Sequence, residues 1–505
     1  MNVRTLLSEW GFFGVIVVSG AFLRFFAIGE QSLWIDEGFT LTQTEAIARH
    51  GFPLLDSGFI EKKDSLLPFL LAPFSFLWDA FHPAFPRGVV ALFGTLSIVI
   101  AFFIGKSLHG RALALTFAFL FAFSSDHIAW SRQIRGYEVA VFFILLAILF
   151  LLRFARTQRD IFLFWSVLAG IMATFSKSFG VIILPVIIFF AGISRSTKRS
   201  PYILTFGIGA ILFLGFVFFS TFFGSVDIDH PIYFTHYIFG ALWGSFGILL
   251  PLALFGFFKT LRDPKYQSVS LALAGFFLLT LLFFSFFVSV QEDRYLLLAT
   301  PILLLFSGSM IVSLSETIPL KKWVRLPVIL LLLVTLDATT TRAFLFVPQT
   351  FFTLERNTPQ PPMRNAYDFL AKKITPEDSL LSPYPFLDRL YLGRSTFSLP
   401  LSYTGRSGDS NIVDGKEYYS GVRNLFVSGR ASGERKLASL RRVGDVYILL
   451  DSLALRRIDP RVLEIIQKDA EVVLKESFQD DASQTVFVYR LPRADTVERS
   501  PLDHL

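Results

Sequence analysis

The stretch "GFFGVIVVSGAFLRFFAIGEQSLWIDEGFTL" (residues 11–41) decides the fold. Its first part, 11–28, is apolar apart from Ser19 and Arg24. A membrane-crossing helix needs roughly 20 predominantly apolar residues, so this segment reads as a span. It lacks a convincing small-residue cleavage site and reads as retained. Just past it stand two adjacent acids, Asp36 and Glu37. A solvated loop would carry such a pair, and so would a site that does chemistry at a membrane surface.

Working outward, apolar runs recur as far as residue 344, separated by short charged clusters. The 505 residues are 53% hydrophobic and 17% charged, against about 25% charged in a soluble domain. The 60 Phe are far above ordinary usage. The expectation is an all-α polytopic membrane protein with about eleven transmembrane helices. These fall near 11–29, 86–107, 111–130, 137–154, 160–176, 178–194, 202–223, 236–258, 268–290, 294–314 and 326–344. The net charge of +7 is no nucleic-acid footprint, because the basic residues sit in short loops between spans. With no cysteine, disulfide and thiolate chemistry are excluded.

"GKSLHGR" (105–111), "RFARTQRD" (153–160), "SRSTKRS" (194–200), "KTLRDPK" (259–265) and "KKWVR" (321–325) are basic and are expected in the cytoplasm. The loops between them then lie outside, as does the long first loop, 30–85. Within that loop, 66–82 is short, holds Pro68, Pro73 and Asp79, and cannot cross once without breaking parity. It is expected to lie in the membrane interface. An odd number of spans puts the N-terminus inside and the C-terminus outside. The transmembrane part is thus expected over 1–344, and a small extracytoplasmic α/β domain over 345–505. In the latter, "NAYDFLAKKI" (365–374) and "PRVLEIIQKDA" (460–470) have helical spacing. "GDVYILLDS" (444–452), "AEVVLKESF" (470–478) and "QTVFVYRLP" (484–492) read as strands, the last two as a hairpin. The Gly/Ser/Arg-rich region 403–434 reads as loop.

Several residue groups could carry chemistry. A carboxylate such as Asp36 can take a proton from an acceptor hydroxyl. "DHIAWSRQIRGYE" (126–138) puts Asp126, His127, Arg132, Arg135, Tyr137 and Glu138 at the outer ends of two spans. Two arginines there run against the positive-inside tendency. A bound phosphate would favour them, and so would ion pairing with Glu138 or Asp126. Lys62 and Lys63 could meet a phosphate or anchor to lipid headgroups. Arg294 in "QEDRYLLLATP" (291–301) and Lys177 in "TFSKSFG" (174–180) are further outer-end cations. "DIDHPIYFTH" (227–236) has metal-ligand residue types without the spacing of a specific site. No phosphate-cradling Gly-rich loop ends in Lys-Ser/Thr, so nothing suggests a soluble nucleotide.

Taken in order, "LWIDEG" (33–38), "KKDSLLPF" (62–69), the Arg87 and Gly-containing span 85–115, "WSRQIRGYEVA" (130–140) and "DRYLLLATP" (293–301) form a pattern. It resembles the membrane-embedded C-type (GT-C) glycosyltransferases that use polyprenyl-phosphate sugars, over about residues 10–320. The nearest groups are the lipid A aminoarabinose transferases, protein O-mannosyltransferases and lipopolysaccharide galacturonosyltransferases. The resemblance implies Asp36 as general base with Glu37 as its partner, and Asp126 where some members carry a second acid. It implies a donor-phosphate set of Lys63, Arg132, Arg135 and Tyr137, with Arg294 and Tyr295 lining the lipid groove. The second element lacks the family's Pro-Pro and Tyr-Tyr. Implied partners are a polyprenyl-phosphate sugar and a lipid, glycan or protein acceptor, in a bacterial cytoplasmic membrane, with no nucleic acid. No cofactor and no metal are implied. A transporter or flippase of a lipid-linked or anionic substrate is the other function class such a chain could serve.

Overall fold

The structure, a computed structural model, describes residues 3–193, 234–319, 361–393 and 437–494, apart from 56, 57, 59, 62, 287, 289–291, 459 and 479–480. Between these blocks it also describes 325, 327–330, 397–398, 410–413 and 416–419. The expected span 202–223, most of 326–344, and "DIDHPIYFTH" up to Tyr233 lie outside the described residues.

The chain divides into two compact units. One comprises Met1–Ile28, Lys63–Leu67 and Arg87–Leu354; the other comprises Gly29–Lys62, Pro68–Pro86 and Glu355–Leu505. A boundary at 344/345 follows composition, whereas compactness groups most of the 30–85 loop with the C-terminal residues.

The first unit is helical. It contains α1 (Val3–Phe25), α4 (Ala84–His109, which begins in the other unit), α5 (Arg111–Ala122), α6 (Ser125–Ser131), α7 (Gly136–Thr157), α8 (Asp160–Ser176) and α9 (Ile183–Ile193). Helices Leu249–Arg262, Gln267–Phe286 and Thr300–Thr317 follow. Among the described residues, four helices are long and apolar enough to cross a membrane: Ala84–His109, Gly136–Thr157, Gln267–Phe286 and Thr300–Thr317. Two bent pairs would make further crossings: Arg111–Ala122 with Ser125–Ser131 (59°), and His236–Phe246 with Leu249–Arg262 (100°). These are the helices of a multi-pass membrane protein.

Their surfaces explain the composition. On α1, Val15, Val18 and Phe22 share one exposed face, while Ile16, Leu23 and Arg24 are buried. Apolar residues on an exposed helix face suit a lipid solvent rather than water. Small residues let helices approach closely. A Cβ on Gly170 of α8 would sit 2.6 Å from Leu184 Cδ2 of α9, and Ser166 donates to the Ala147 carbonyl of α7 at 2.9 Å. Residues 66–77 form α3 (Leu66–Leu71) and a 3₁₀ turn, Ala72–Leu77. That is too short to cross a membrane. Phe69, Phe74, Phe76 and Leu77 are exposed along it.

The second unit holds α2 (Ile35–His50) and the C-terminal α/β layer. Strands are β1 (Ser379–Ser382), β2 (Phe397–Ser398), β3 (Ser410–Val413), β4 (Lys416–Tyr419), β5 (Val446–Asp451), β6 (Glu471–Phe478) and β7 (Asp481–Leu491). A five-stranded sheet runs β2-β1-β5-β7-β6. β1 is parallel to both β2 and β5, and β7 is antiparallel to β5 and β6. The expected β6–β7 hairpin and helices Met363–Lys373 and Pro460–Asp469 are present. Val446, Ile448 and Leu450 of β5 pack with Leu381, Ala454, Ile466 and Leu491.

One expectation is corrected. Region 403–434 is not all loop, because β3 and β4 pair antiparallel within it, Ser410 opposite Tyr419.

Candidate active site

The acid pair opens α2, whose first turn it occupies. Glu37 is fully buried, and its Oε2 accepts the Trp34 backbone N–H at 3.3 Å. That N–H precedes the backbone hydrogen-bond ladder of the helix, so a carboxylate three residues on is well suited to hold it. Both acids also favour the positive end of the helix dipole. Asp36, one residue earlier, is only partly buried. The two carboxylates therefore differ in role: Glu37 fixes the start of the helix, and Asp36 is the more accessible.

In the helical unit a second set of ionisable groups gathers where α7 begins and α8 ends. Gly136 opens α7 with its backbone against α8: a Cβ there would lie 1.8 Å from the Ser176 carbonyl oxygen. This approach brings the Lys177 ammonium over the Tyr137 ring at 4.7 Å, with Phe179 at 5.7 Å. Aromatic faces attract a cation held in this way. Lys177 also pairs with Asp64. Asp64 Oδ1 accepts from the Ser178 backbone N–H (2.8 Å) and hydroxyl (2.9 Å). Asp64 has a positive φ of 53°, an unusual backbone state for a non-glycine residue. Burial alone would raise its carboxyl, but the Lys177 charge and hydrogen bond, the Arg135 charge and the Ser178 N–H outweigh it. The carboxyl therefore sits below its ordinary value.

Tyr295 adjoins the same aromatic group. It stacks on Phe284 at 4.9 Å and meets Phe179 edge-on at 5.1 Å. Arg294 lies 6.0 Å over the Tyr295 ring, and its Nη2 is 3.3 Å from Glu292. The structure thus brings together Tyr137, Lys177 and Tyr295 around a phenylalanine cluster, with Asp64 as counter-ion to Lys177 and under the influence of the Arg135 charge.

Other expected residues have different surroundings. Arg132 is 3% exposed, and its Nη1 donates to the carbonyls of Leu23 (3.3 Å), Arg24 (3.1 Å) and Phe26 (2.6 Å), with Nη2 on Ala27 (3.4 Å). It closes the C-terminal end of α1, where carbonyls lack helical partners. Glu138 turns to His127 (3.0 Å), whose Nε2 meets Thr300 Oγ1 at 3.0 Å. Asp126 lies in the first turn of α6 and is partly buried. Lys63 immediately precedes Asp64 and is partly buried. Among the described residues, no three His, Asp or Glu side chains converge as metal ligands.

Sequence reasoning missed Asp64. It reads as one more polar residue after Lys62 and Lys63, and its partner lies more than a hundred residues away. The available signal is Lys177: a cation at the end of an apolar helix calls for a carboxylate, and "KKDSLLPF" supplies one.

The dolichyl-phosphate-mannose-protein mannosyltransferase family model matches residues 81–222. No curated protein matches the sequence significantly. The fold is similar to ArnT from Cupriavidus metallidurans bound to undecaprenyl phosphate. The TM-score is 0.62 at 14% identity, over 95% of this chain and 98% of that one. It is also similar to the Archaeoglobus fulgidus oligosaccharyltransferase AglB in complex with an inhibitory peptide and a dolichol-phosphate. There the TM-score is 0.59 at 11% identity, over 99% of this chain and 76% of that one. The resemblance to GT-C glycosyltransferases read from the sequence is thus borne out by the family match and by the fold.

Proposed function

We propose that the chain is an integral membrane glycosyltransferase. It moves a sugar from a polyprenyl-phosphate donor to a hydroxyl of a lipid, glycan or protein acceptor. The observation that carries this reading is the cationic and aromatic group of Lys177, Arg135, Tyr137 and Tyr295. A buried lysine balanced by one aspartate, with an arginine close by, suits a lipid-borne phosphate. The fold shared with proteins whose structures hold undecaprenyl phosphate or dolichol-phosphate supports it.

In this reading the acceptor oxygen attacks the anomeric carbon and gives its proton to Asp36. The bond from that carbon to the phosphate oxygen breaks, and the phosphate keeps the electron pair. One displacement inverts the anomeric centre. Charge grows on the leaving polyprenyl phosphate, and fixed cations stabilise it. Lys177 and Arg135 are assigned that role, with Lys63 as a further phosphate contact. Arg294 and Tyr295 are assigned to the lipid groove and Asp126 to an auxiliary acid. Arg132 and Tyr137 shape the site, since one holds the end of α1 and the other supports Lys177. The membrane is the bacterial cytoplasmic membrane, with the chemistry on its outer side.

The two bent helix pairs favour a second reading, because transporters also build sites from broken helices. Purified protein in sealed vesicles, offered a panel of polyprenyl-phosphate sugars and an envelope extract, separates the two. Release of free polyprenyl phosphate supports transfer. Movement of intact donor between leaflets without release would favour transport.

A further inference from the structure

We propose that the C-terminal α/β layer acts as a clamp that positions the acid-bearing helix, with Arg364 as its principal positioning residue. This rests on the assignment of Asp36 as general base.

The contacts bracket the acid pair from both sides in sequence. Before it, Arg364 Nη2 donates to the carbonyls of Gly29 (2.7 Å) and Gln31 (3.0 Å), and the Arg364 backbone N–H donates to Ser32 Oγ (3.1 Å). The Leu33 backbone N–H donates to the Tyr391 hydroxyl at 3.4 Å. Tyr391 stacks on Tyr367, 4.5 Å away and 8° from parallel, and Tyr367 donates to buried Asp388 at 2.7 Å. After the pair, Gly38 lies against the Pro385–Leu392 helix: a Cβ there would be 2.8 Å from Leu387 Cδ2 and 3.3 Å from Phe386 Cβ. Phe39 meets Phe386 edge-on at 5.1 Å, and Glu45 pairs with Arg389 at 3.8 Å.

An arginine is suited to this task. Its long side chain brings one guanidinium nitrogen, Nη2, to two carbonyls at once, and the group keeps its charge at any working pH. The carbonyls it holds belong to the segment that leads into α2, so it fixes where the helix starts. Glu37 ties the same point from inside the helix. Asp36 itself is left partly exposed. Misplacing a reacting group by about 1 Å can cost roughly a hundredfold in rate, so a clamp on this segment governs turnover while leaving donor binding alone.

The test uses the full-length protein in lipid discs. Polyprenyl phosphate release is followed for Arg364→Ala, Arg364→Lys, Gly38→Ala, Asp36→Asn and Asp36→Asn/Arg364→Ala, with amide exchange over residues 33–45. Arg364→Ala and Gly38→Ala are expected to lower kcat by at least about tenfold, with donor KM within about twofold. Arg364→Lys recovers part of the loss, and Arg364→Ala adds nothing in the Asp36→Asn background. Exchange over 33–45 rises in Arg364→Ala. Normal kcat in both Arg364→Ala and Gly38→Ala, raised KM with normal kcat, or additive losses with Asp36→Asn would each overturn the clamp. If the wild type releases nothing from any donor, the transferase reading fails by itself. Unchanged exchange in Arg364→Ala would then sink the clamp, and raised exchange would sustain it.

Discussion

At the scale of single residues, the Asp64–Lys177 pair makes two predictions. Each partner's side chain is mostly buried, with 22% of Asp64 and 10% of Lys177 exposed. Removing one partner of a buried pair leaves an uncompensated charge and costs roughly 3 kcal/mol. Asp64→Asn and Lys177→Met should each lower the thermal midpoint, and the double variant should lose less than the two summed. A strictly additive double variant would show that the pair is not coupled. The second prediction concerns pH. Asp64's carboxyl is depressed in the folded protein, so its contribution is complete above its unfolded value, near 4. It is lost as pH falls through the lower folded value. The wild type should therefore lose stability below about pH 4 through a step that Asp64→Asn lacks, read by thermal melts against pH. The acid pair was legible in the sequence because an acid doublet after an apolar run stands out. Asp64 was not, because its meaning lies in a partner distant in the chain.

At the scale of elements, the approach of α7 to α8 depends on Gly136. Overpacking of this kind costs about 1–3 kcal/mol, and here the obstacle is a backbone carbonyl that cannot rotate away. Gly136→Ala should lower the thermal midpoint and weaken donor binding, because it separates Lys177 from Tyr137. Unchanged donor affinity in a folded Gly136→Ala protein would detach this contact from the site. The long helices of the first unit were legible as apolar runs, and the β6–β7 hairpin as alternating strands; α2 was not, because its polar residues read as part of a long loop. The bend between α5 and α6 was not, since residues 111–130 read as one run and the break falls at Phe123 and Ser124. The Pro385–Leu392 helix was also missed. Eight residues give little periodicity, and its tertiary partner, α2, lies far back in the chain.

At the scale of the whole molecule, sidedness is open to a direct check, because the chain has no cysteine. A single cysteine at Gln158, in the basic loop between α7 and α8, should react only from the cytoplasmic face of intact cells. One at Glu30 should react from outside. Labelling of both from the same side would contradict the topology and with it the placement of the chemistry. The division of the chain was only partly legible. Composition marks where the apolar runs of the sequence end, near residue 344, but it carries no information on which loop packs with which domain. Residues 29–62 group with the C-terminal part through contacts such as Arg364 with Gly29, more than three hundred residues apart.

The most direct measurement compares the wild type with Asp36→Asn for release of polyprenyl phosphate from a donor that the wild type uses. The amide keeps the size of the side chain but cannot take a proton, and loss of a general base costs about a hundredfold to ten-thousandfold. The account predicts a loss of that size with donor binding retained. Normal turnover in Asp36→Asn would contradict it and leave the acid doublet as only the opening of a helix.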